Sequence, residues 1–389
     1  MSSPALNQDM IIEILSRFPV TEIGKSRLMN KECNKRSHES WFFNLNLHRT
    51  NSISGYLVQY NERGYKHQTS FVDEMRDFEN KKLSIDFLPQ GKVKIEACDS
   101  SHGVLLCLNE TGPSVPDYIV CKPTTRQYRI IPNPIMQNCG ISFGLAVIGL
   151  DPFRYEILRL SRLRNGMNRN NRTFACEVYD SDSFTWKRLK NLRLPKNDGL
   201  ILSNPVQASG FLHWLSREDN VIRFCLKTET WSFFKTPNFG VSPKLVRYEG
   251  KLGVIRWSGY GKGLNRLWVL KSSFEKSWVK VKDIKNMGLR DDVLWTPSND
   301  VVTLSSRDRV CYYNTNTEKL KIIQMNKEFT SYVYFPFCSD YEVIANDSNP
   351  VKASECMSLM FQQWAIHPFT KASLVLIVLF LLVGYVLLK

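Results

Sequence analysis

Two periodicities divide the chain. In the first fifty residues, Leu6, Met10, Ile11, Ile14, Leu15 and Phe18 recur at three- and four-residue spacing, which puts them on one face of a helix over 6–18. Asn7 or Asp9 can cap its start and Pro19 stops it. A second short helix is expected from about Thr21, and Trp41, Phe42, Leu45 and Leu47 supply a third apolar patch. About fifty residues bury too little surface for much stability alone, so such a module completes its core against a partner.

From Gly55 onward the spacing changes to short apolar alternations broken by Gly, Pro, Asn and Asp, the pattern of many β-strands. One unit repeats: YIVCKPTTRQYRIIP from Tyr118, CEVYDSDSFTWKRL from Cys176, VIRFCLKTETWSFFKTP from Val221, LWVLKSSFEKSWVKV from Leu267 and VCYYNTNTEKLKII from Val310. Each copy is a strand, a polar turn and a second strand, which makes a hairpin. The copies recur at intervals of roughly 40 to 60 residues, the spacing of one hairpin per propeller blade. Between them lie strand candidates at Gly103–Leu108, Gly210–Leu215 and Gly250–Arg256. The pattern predicts a propeller-like closed array, with Tyr128, Trp186, Trp231 and Trp278 filling the space between neighbouring sheets.

The tail changes the picture again. Ala372 to Leu388 reads ASLVLIVLFLLVGYVLL, with no charge and no polar face at a period of 3.6, so it is expected to be a transmembrane helix. The alternative is a last buried element of the β domain. The expected fold class is therefore α+β multidomain: a helical module over 1–50, a mainly-β propeller-like domain over 51–345, a linker over 346–371 and a transmembrane helix over 372–388. The short span suits a thin bilayer, so the expected location is a membrane, single-pass and cytosol-facing, with the endoplasmic reticulum favoured.

Composition adds a partner question. Lys and Arg total 52 against 37 Asp and Glu, a formal net charge of +15, which admits acidic partners. The basic stretch RLSRLRNGMNRNNR over 159–172 reads as a solvated loop or an acidic-partner site, and it lacks the interleaved aromatics that nucleic-acid stacking needs. No nucleic-acid partner is expected. Met1 to Gln8 lacks the basic start and apolar run of a secretory signal, which places the bulk of the chain in a reducing compartment. The ten cysteines contain no C-x-x-C pair, and Cys107, Cys121, Cys176 and Cys225 lie inside apolar runs, as buried thiols do.

Enzyme chemistry needs a nucleophile with its base, paired carboxylates, a metal cluster or a phosphate loop, and none stands out. Gly259-Tyr260-Gly261-Lys262-Gly263 sits between strand candidates without a following helix, so it reads as a hairpin loop. His102 and His213 lie in apolar runs without ligand-spaced neighbours and read as structural. No cofactor or metal is expected.

Two resemblances complete the reading. LNQDMIIEILSRFPVTEIGKSRLMNKECNKRSHESWFFNLNLHR resembles an F-box: Leu6, then Ile14-Leu15, then Phe18-Pro19-Val20, then Ile23 and Arg27, and finally Phe42 and Leu47. It departs from the family pattern where Asn7 replaces a proline, Ser26 an aromatic and Cys33 a tryptophan. The resemblance implies that Leu6, Ile11, Ile14, Leu15, Phe18, Pro19 and Val20 bury against the Skp adaptor, which bridges to a cullin. The plainer alternative is an amphipathic hairpin packed on the β domain. Ser101-His102-Gly103-Val104-Leu105-Leu106-Cys107, Cys121-Lys122-Pro123-Thr124-Thr125 and Gly210-Phe211-Leu212-His213-Trp214-Leu215, in that order, resemble the signatures of the plant F-box-associated domain, which is kelch-like. That resemblance implies a noncatalytic substrate receptor of a ubiquitin ligase, capturing an unknown target protein. The alternative is a membrane-tethered interaction scaffold without ligase docking.

Overall fold

The computed structural model describes residues 8–18, 23, 31–37, 39–50, 52–62, 66–73, 83–89, 92–110, 116–136, 139–150, 152–163, 173–201, 203–238, 241–257, 264–272, 276–285, 292–293, 300–305, 309–324 and 332–339. Met1–Val343 cluster as one compact unit.

Alternation of apolar and polar residues makes strands, and here every sheet is antiparallel, because strands consecutive in the chain pair with each other and β24 pairs back on β1. Blade 1 runs β3 (Lys92–Asp99), β4 (Val104–Glu110), β5 (Asp117–Lys122) and β6 (Gln127–Ile131), in that order across the sheet. Blade 2 runs β7 (Gly140–Leu150), β8 (Phe153–Arg162), β9 (Thr173–Asp180) and β10 (Thr185–Arg188), with β11 (Leu192–Arg193) also on β9. Blade 3 is β12 (Val206–Ala208), β13 (Phe211–Leu215), β14 (Asn220–Cys225) and β15 (Thr230–Lys235). Blade 4 is β16 (Val241–Tyr248), β17 (Lys251–Trp257), β18 (Leu264–Leu270) and β19 (Trp278–Lys285). Blade 5 is β20 (Asp292–Val293), β21 (Val301–Ser305), β22 (Arg309–Asn314) and β23 (Leu320–Gln324).

The sixth blade joins both ends of the propeller. Its order is β2 (Lys66–Asp73), β1 (Ile53–Glu62) and β24 (Tyr332–Ser339), with Ile53 opposite Ser339 and Tyr60 opposite Tyr332. The five repeats read from sequence are the third and fourth strands of blades 1 to 5. Their turns share a backbone feature: Arg126, Phe184, Glu229, Lys276 and Glu318 each adopt a φ of 51° to 56°, left-handed space that costs a side chain about 1–2 kcal/mol. The hairpins entering β13 and β17 turn on Ser209-Gly210 and Glu249-Gly250, all four at positive φ, as a type I′ turn requires.

Six apolar clusters bind each blade to the next. Tyr118 and Leu106 of blade 1 meet Phe143, Ile157 and Trp186 of blade 2. Leu158 and Cys176 of blade 2 meet Trp214 and Phe224 of blade 3. Val221 and Phe234 of blade 3 meet Leu252 and Leu270 of blade 4, and Val269 of blade 4 meets Leu304 and Cys311 of blade 5. Tyr312 of blade 5 packs on Tyr56, and Leu57 and Phe337 of blade 6 pack on Ile95 and Leu105 of blade 1, which closes the ring.

Trp186, Trp231 and Trp278 fill inter-blade space as expected. Tyr128 does not: it is 46% exposed on the outer strand β6, with its ring 6.3 Å from that of Phe87. The reason is register, since β6 buries only Ile131 fully and turns Tyr128 and Ile130 to solvent.

The α+β multidomain class is overturned. The described residues form a nearly all-β six-bladed propeller, with helix confined to α1 (Gln8–Leu15), α2 (Lys31–Arg36) and α3 (Ser40–Arg49). Phe43 and Leu47 of α3 share a buried cluster with Cys338 of β24. The transmembrane assignment and the single-pass membrane location are overturned with it. No helix among the described residues is long and apolar enough to cross a membrane. The longest, α3, has 10 residues and so spans about 15 Å, half of the roughly 30 Å hydrocarbon core. Residues 346–371 and 372–388, on which the linker and the anchor rested, lie outside the described residues.

Candidate interaction surfaces

Helix α1 divides its apolar residues between two destinations. Ile12 and Leu15 turn inward to a small core with Ile23 and Phe42, and Ile11 packs at its margin. Met10, Ile14 and Phe18, four residues apart, stand on the outside with exposures of 55%, 46% and 39%. Trp41, 45% exposed and edge-on to Phe42 at 6.0 Å, adds a large aromatic on α3. Of the seven residues expected to dock an adaptor, Ile14 and Phe18 are therefore presented to solvent, Ile11 is partly covered and Leu15 is buried. Leu6, Pro19 and Val20 lie outside the described residues. Met10 escaped the docking set although its four-residue spacing from Ile14 was readable in the sequence.

The helix is held in place at its end. The N–H groups of Ser16, Arg17 and Phe18 close its last turn on Ile12 O, Ile14 O and Leu15 O, and Asn46 of α3 fixes the turn that follows, its Nδ2 donating to Ser16 O at 3.0 Å and to Phe18 O at 2.7 Å. Arg49 Nη1 and Arg17 Nη2 each donate to Glu13 at 2.8 Å, and these bonds hold that carboxyl below its ordinary range. The exposed stripe thus sits on a braced helix with a charged margin.

The three sequence signatures of the β region are structural. In the first, Asp99 is fully buried and its Oδ1 accepts from Ser101 N at 3.0 Å and His102 N at 3.2 Å, with His102 Nδ1 at 2.9 Å. Its Oδ2 accepts from Val147 N of blade 2 at 2.8 Å. Burial alone would raise this acid, but His102, these bonds and the charge of Arg247 hold it at about 2. Gly103 has a φ of +62°, and a Cβ there would stand 2.3 Å from Ser339 Cβ, so only glycine lets blade 1 approach β24. In the second signature, Thr124 Oγ1 meets Ser339 Oγ at 3.1 Å. Both signatures clamp blade 1 to the closing strand. In the third, Trp214 Nε1 donates to Ser142 Oγ of blade 2 at 2.8 Å, and buried His213 donates from Nδ1 to Val206 O at 3.0 Å. Burial, with the Arg223 charge, pushes that imidazole down to about 4 against the opposing pull of the Val206 bond.

The basic stretch divides at the end of β8. Arg159 is a 2% exposed strand residue, and its Nη1 donates to the buried Glu177 Oε2 at 2.6 Å and to Met136 O at 3.0 Å. Its alternation on β8 hid it among loop arginines. The expectation that it faces solvent or an acidic partner is overturned, and 164–172 lie outside the described residues. Among the described residues, no group of three or more His, Cys, Asp or Glu is placed to hold a metal.

On the propeller axis lies a cavity of roughly 160 Å³. One edge strand from each of five blades reaches it, through Cys98 of β3, Leu145 of β7, Gln207 of β12, Arg247 of β16 and Phe335 of β24. Among the described residues, Arg247 is the only charged one on its wall, and Nη1 of that residue donates to Ser101 Oγ.

Comparison with known proteins follows the same outline. Residues 56–346 match the F-box associated beta propeller domain. F-box protein At5g41720 of Arabidopsis thaliana is 46% identical over 166 residues, 41% of this chain and 88% of that one. F-box protein At5g49610 of Arabidopsis thaliana is 24% identical over 293 residues, 71% of this chain and 78% of that one. Among solved structures, TolB from Acinetobacter baumannii matches 73% of this chain and 66% of that chain with a TM-score of 0.44 and 10% identity.

Proposed function

We propose, from the premise that this chain belongs to the F-box-associated β-propeller family, that it is the substrate-recognition subunit of a Skp-cullin-F-box ubiquitin ligase. The observation that carries the reading is the exposed stripe of Met10 and Ile14 on α1 and Phe18 just beyond its end, three large apolar side chains on a segment bonded to α3, which itself packs on Cys338 of the propeller. An apolar stripe of this kind, rimmed by charge, marks a protein-binding surface. Ile14 and Phe18, with Ile11 at their margin and Leu6, Pro19 and Val20 in the adjoining chain, are the contacts to the Skp adaptor. Leu15 serves from beneath by holding α1 against Phe42. A cullin joins through the adaptor and the propeller holds the target. The chain contributes proximity and orientation, and a separate enzyme carries out the transfer.

Recovery of the chain on immobilised Skp adaptor tests this. Ile14→Asp removes an exposed apolar contact and places a charge in the interface, so recovery is expected to fall at least tenfold while the melting temperature stays within about 2 °C of the parent. Equal recovery of both proteins would eliminate the adaptor-docking role.

A further inference from the structure

We infer that the axial cavity of the propeller is a binding site for a carboxylate carried on a small apolar body, with Arg247 as the anchor. The position is the first argument. A wall assembled from five blades forms only on the axis of the closed ring, so the cavity is built by the whole fold and not by one loop. Its roughly 160 Å³ far exceeds the roughly 10–15 Å³ that admits one water.

The wall chemistry is the second argument. Leu145, Leu212, Leu245 and Phe335 give an apolar lining, no carboxylate lines it, and Arg247 brings one guanidinium. Among the described residues, the one hydrogen bond of that guanidinium goes to Ser101 Oγ, which leaves most of its donors uncommitted. Its nearest anion, Asp99, has both oxygens occupied by Ser101 N, His102 and Val147 N. Asp99 and Arg247 therefore interact through charge, with no hydrogen bond between them among the described residues. Ser100 and Gln207 also line the cavity, and their side chains make no hydrogen bond among the described residues. Oε1 of Gln207 is buried without a hydrogen-bond partner among the described residues, so this amide has hydrogen-bonding capacity unspent. With Asp99 already offsetting part of its charge, the guanidinium calls for no more than one further negative charge, and its open donors suit planar bidentate pairing, which makes a carboxylate the fitting anion. A phosphate dianion would meet too little positive charge. Asn204, exposed on the same wall, marks the side from which the cavity meets solvent.

A free organic acid and the terminal carboxylate of another polypeptide share this chemistry. Only the identity of the ligand's owner rests on the substrate-receptor reading. In the polypeptide case the owner is the target.

The test uses the purified full chain and three probes: fluorescein-labelled hexapeptides with the last two positions randomised over apolar residues, the same pool as C-terminal amides, and N-acetylleucine as competitor. The acid pool is expected to bind at least tenfold more tightly than the amide pool. Arg247→Gln is expected to lose at least tenfold and Gln207→Ala about threefold. If Arg247→Gln fails to fold, Gln207→Ala carries the comparison, since Gln207 has no hydrogen bond to lose. Competition by N-acetylleucine at the affinity of the best peptides supports the site and assigns it to small acids. Peptides at least tenfold tighter than N-acetylleucine support it and assign it to chain termini. Equal binding of acid and amide pools, binding unchanged in both variants, or no binding of any probe overturns it. Adaptor recovery, measured on the same preparations, reports separately on the ligase reading.

Discussion

At the residue scale, the propeller places titratable groups where burial moves them in opposite directions. Glu156 on β8 has a sealed, unpartnered Oε2, and burial first, then the Asp180 and Glu229 carboxylates, raise it from 4.5 to about 7 against the pull of Lys187. The unfolded chain releases this proton near 4.5 and the folded chain near 7, so between those values the folded state binds more protons. Stability from this group is therefore present at low pH and lost as pH climbs through that window. His213 has the opposite sign: its stability is present above 6.5 and lost as pH falls toward about 4. The two slopes nearly cancel between pH 5 and 6.5 in the native chain. Glu156→Gln removes one of them. Thermal melts of that variant are expected to match the parent near pH 4.5 and to exceed it above pH 7.5, and a constant difference across the range would show that Glu156 has no raised pKa.

At the element scale, the fourth strand of a blade is tied to its predecessor by an indole. Trp186 Nε1 donates to Pro132 O at 2.6 Å and Trp278 Nε1 to Lys235 O at 2.9 Å, each carbonyl lying at the end of the preceding blade's outer strand. Trp186 is 7% exposed and touches Tyr118 and Tyr179, so Trp186→Ala is expected to cost about 3–5 kcal/mol in urea unfolding. A loss below about 1 kcal/mol would mean that the blade interface closes without it. These elements were largely legible in the sequence, because a polar turn between two apolar strands is a local signal repeated five times. Gly103, Gly210 and Gly250 were equally readable as the turns that open second strands. Blade 6 was not, because β1 finds its inner neighbour Ser339 at the other end of the propeller and no local pattern records that pairing. In the helical segment, periodicity identified the apolar face of α1, but only the position of Phe42 and Ile23 decides that Leu15 points in and Ile14 out. The axial cavity was illegible for the same reason: Arg247 and Gln207 are far apart in sequence and meet through ring geometry.

At the scale of the molecule, stability depends on closure. β24 contributes Phe335 and Phe337, 2% and 0% exposed, to the seam between blades 6 and 1. Losing two buried phenylalanines costs about 3–5 kcal/mol each, which with the lost ladder reaches the 5–15 kcal/mol that a whole domain has to spare. A chain ending before Tyr332 is therefore expected to lose its cooperative melt and to be cut within minutes by dilute trypsin under conditions that spare the parent. Survival of the shortened chain with a parent-like digestion pattern would show that five blades stand without the seam.

Clasping the first strands with the last also sets an order of events during synthesis. A ribosome releases the helical segment before β1 and β2, which then wait with an unoccupied edge while five blades are made. Ser339 has to clear the exit tunnel before that edge is filled, so the nascent chain exposes the Met10–Ile14 stripe long before the propeller behind it is complete.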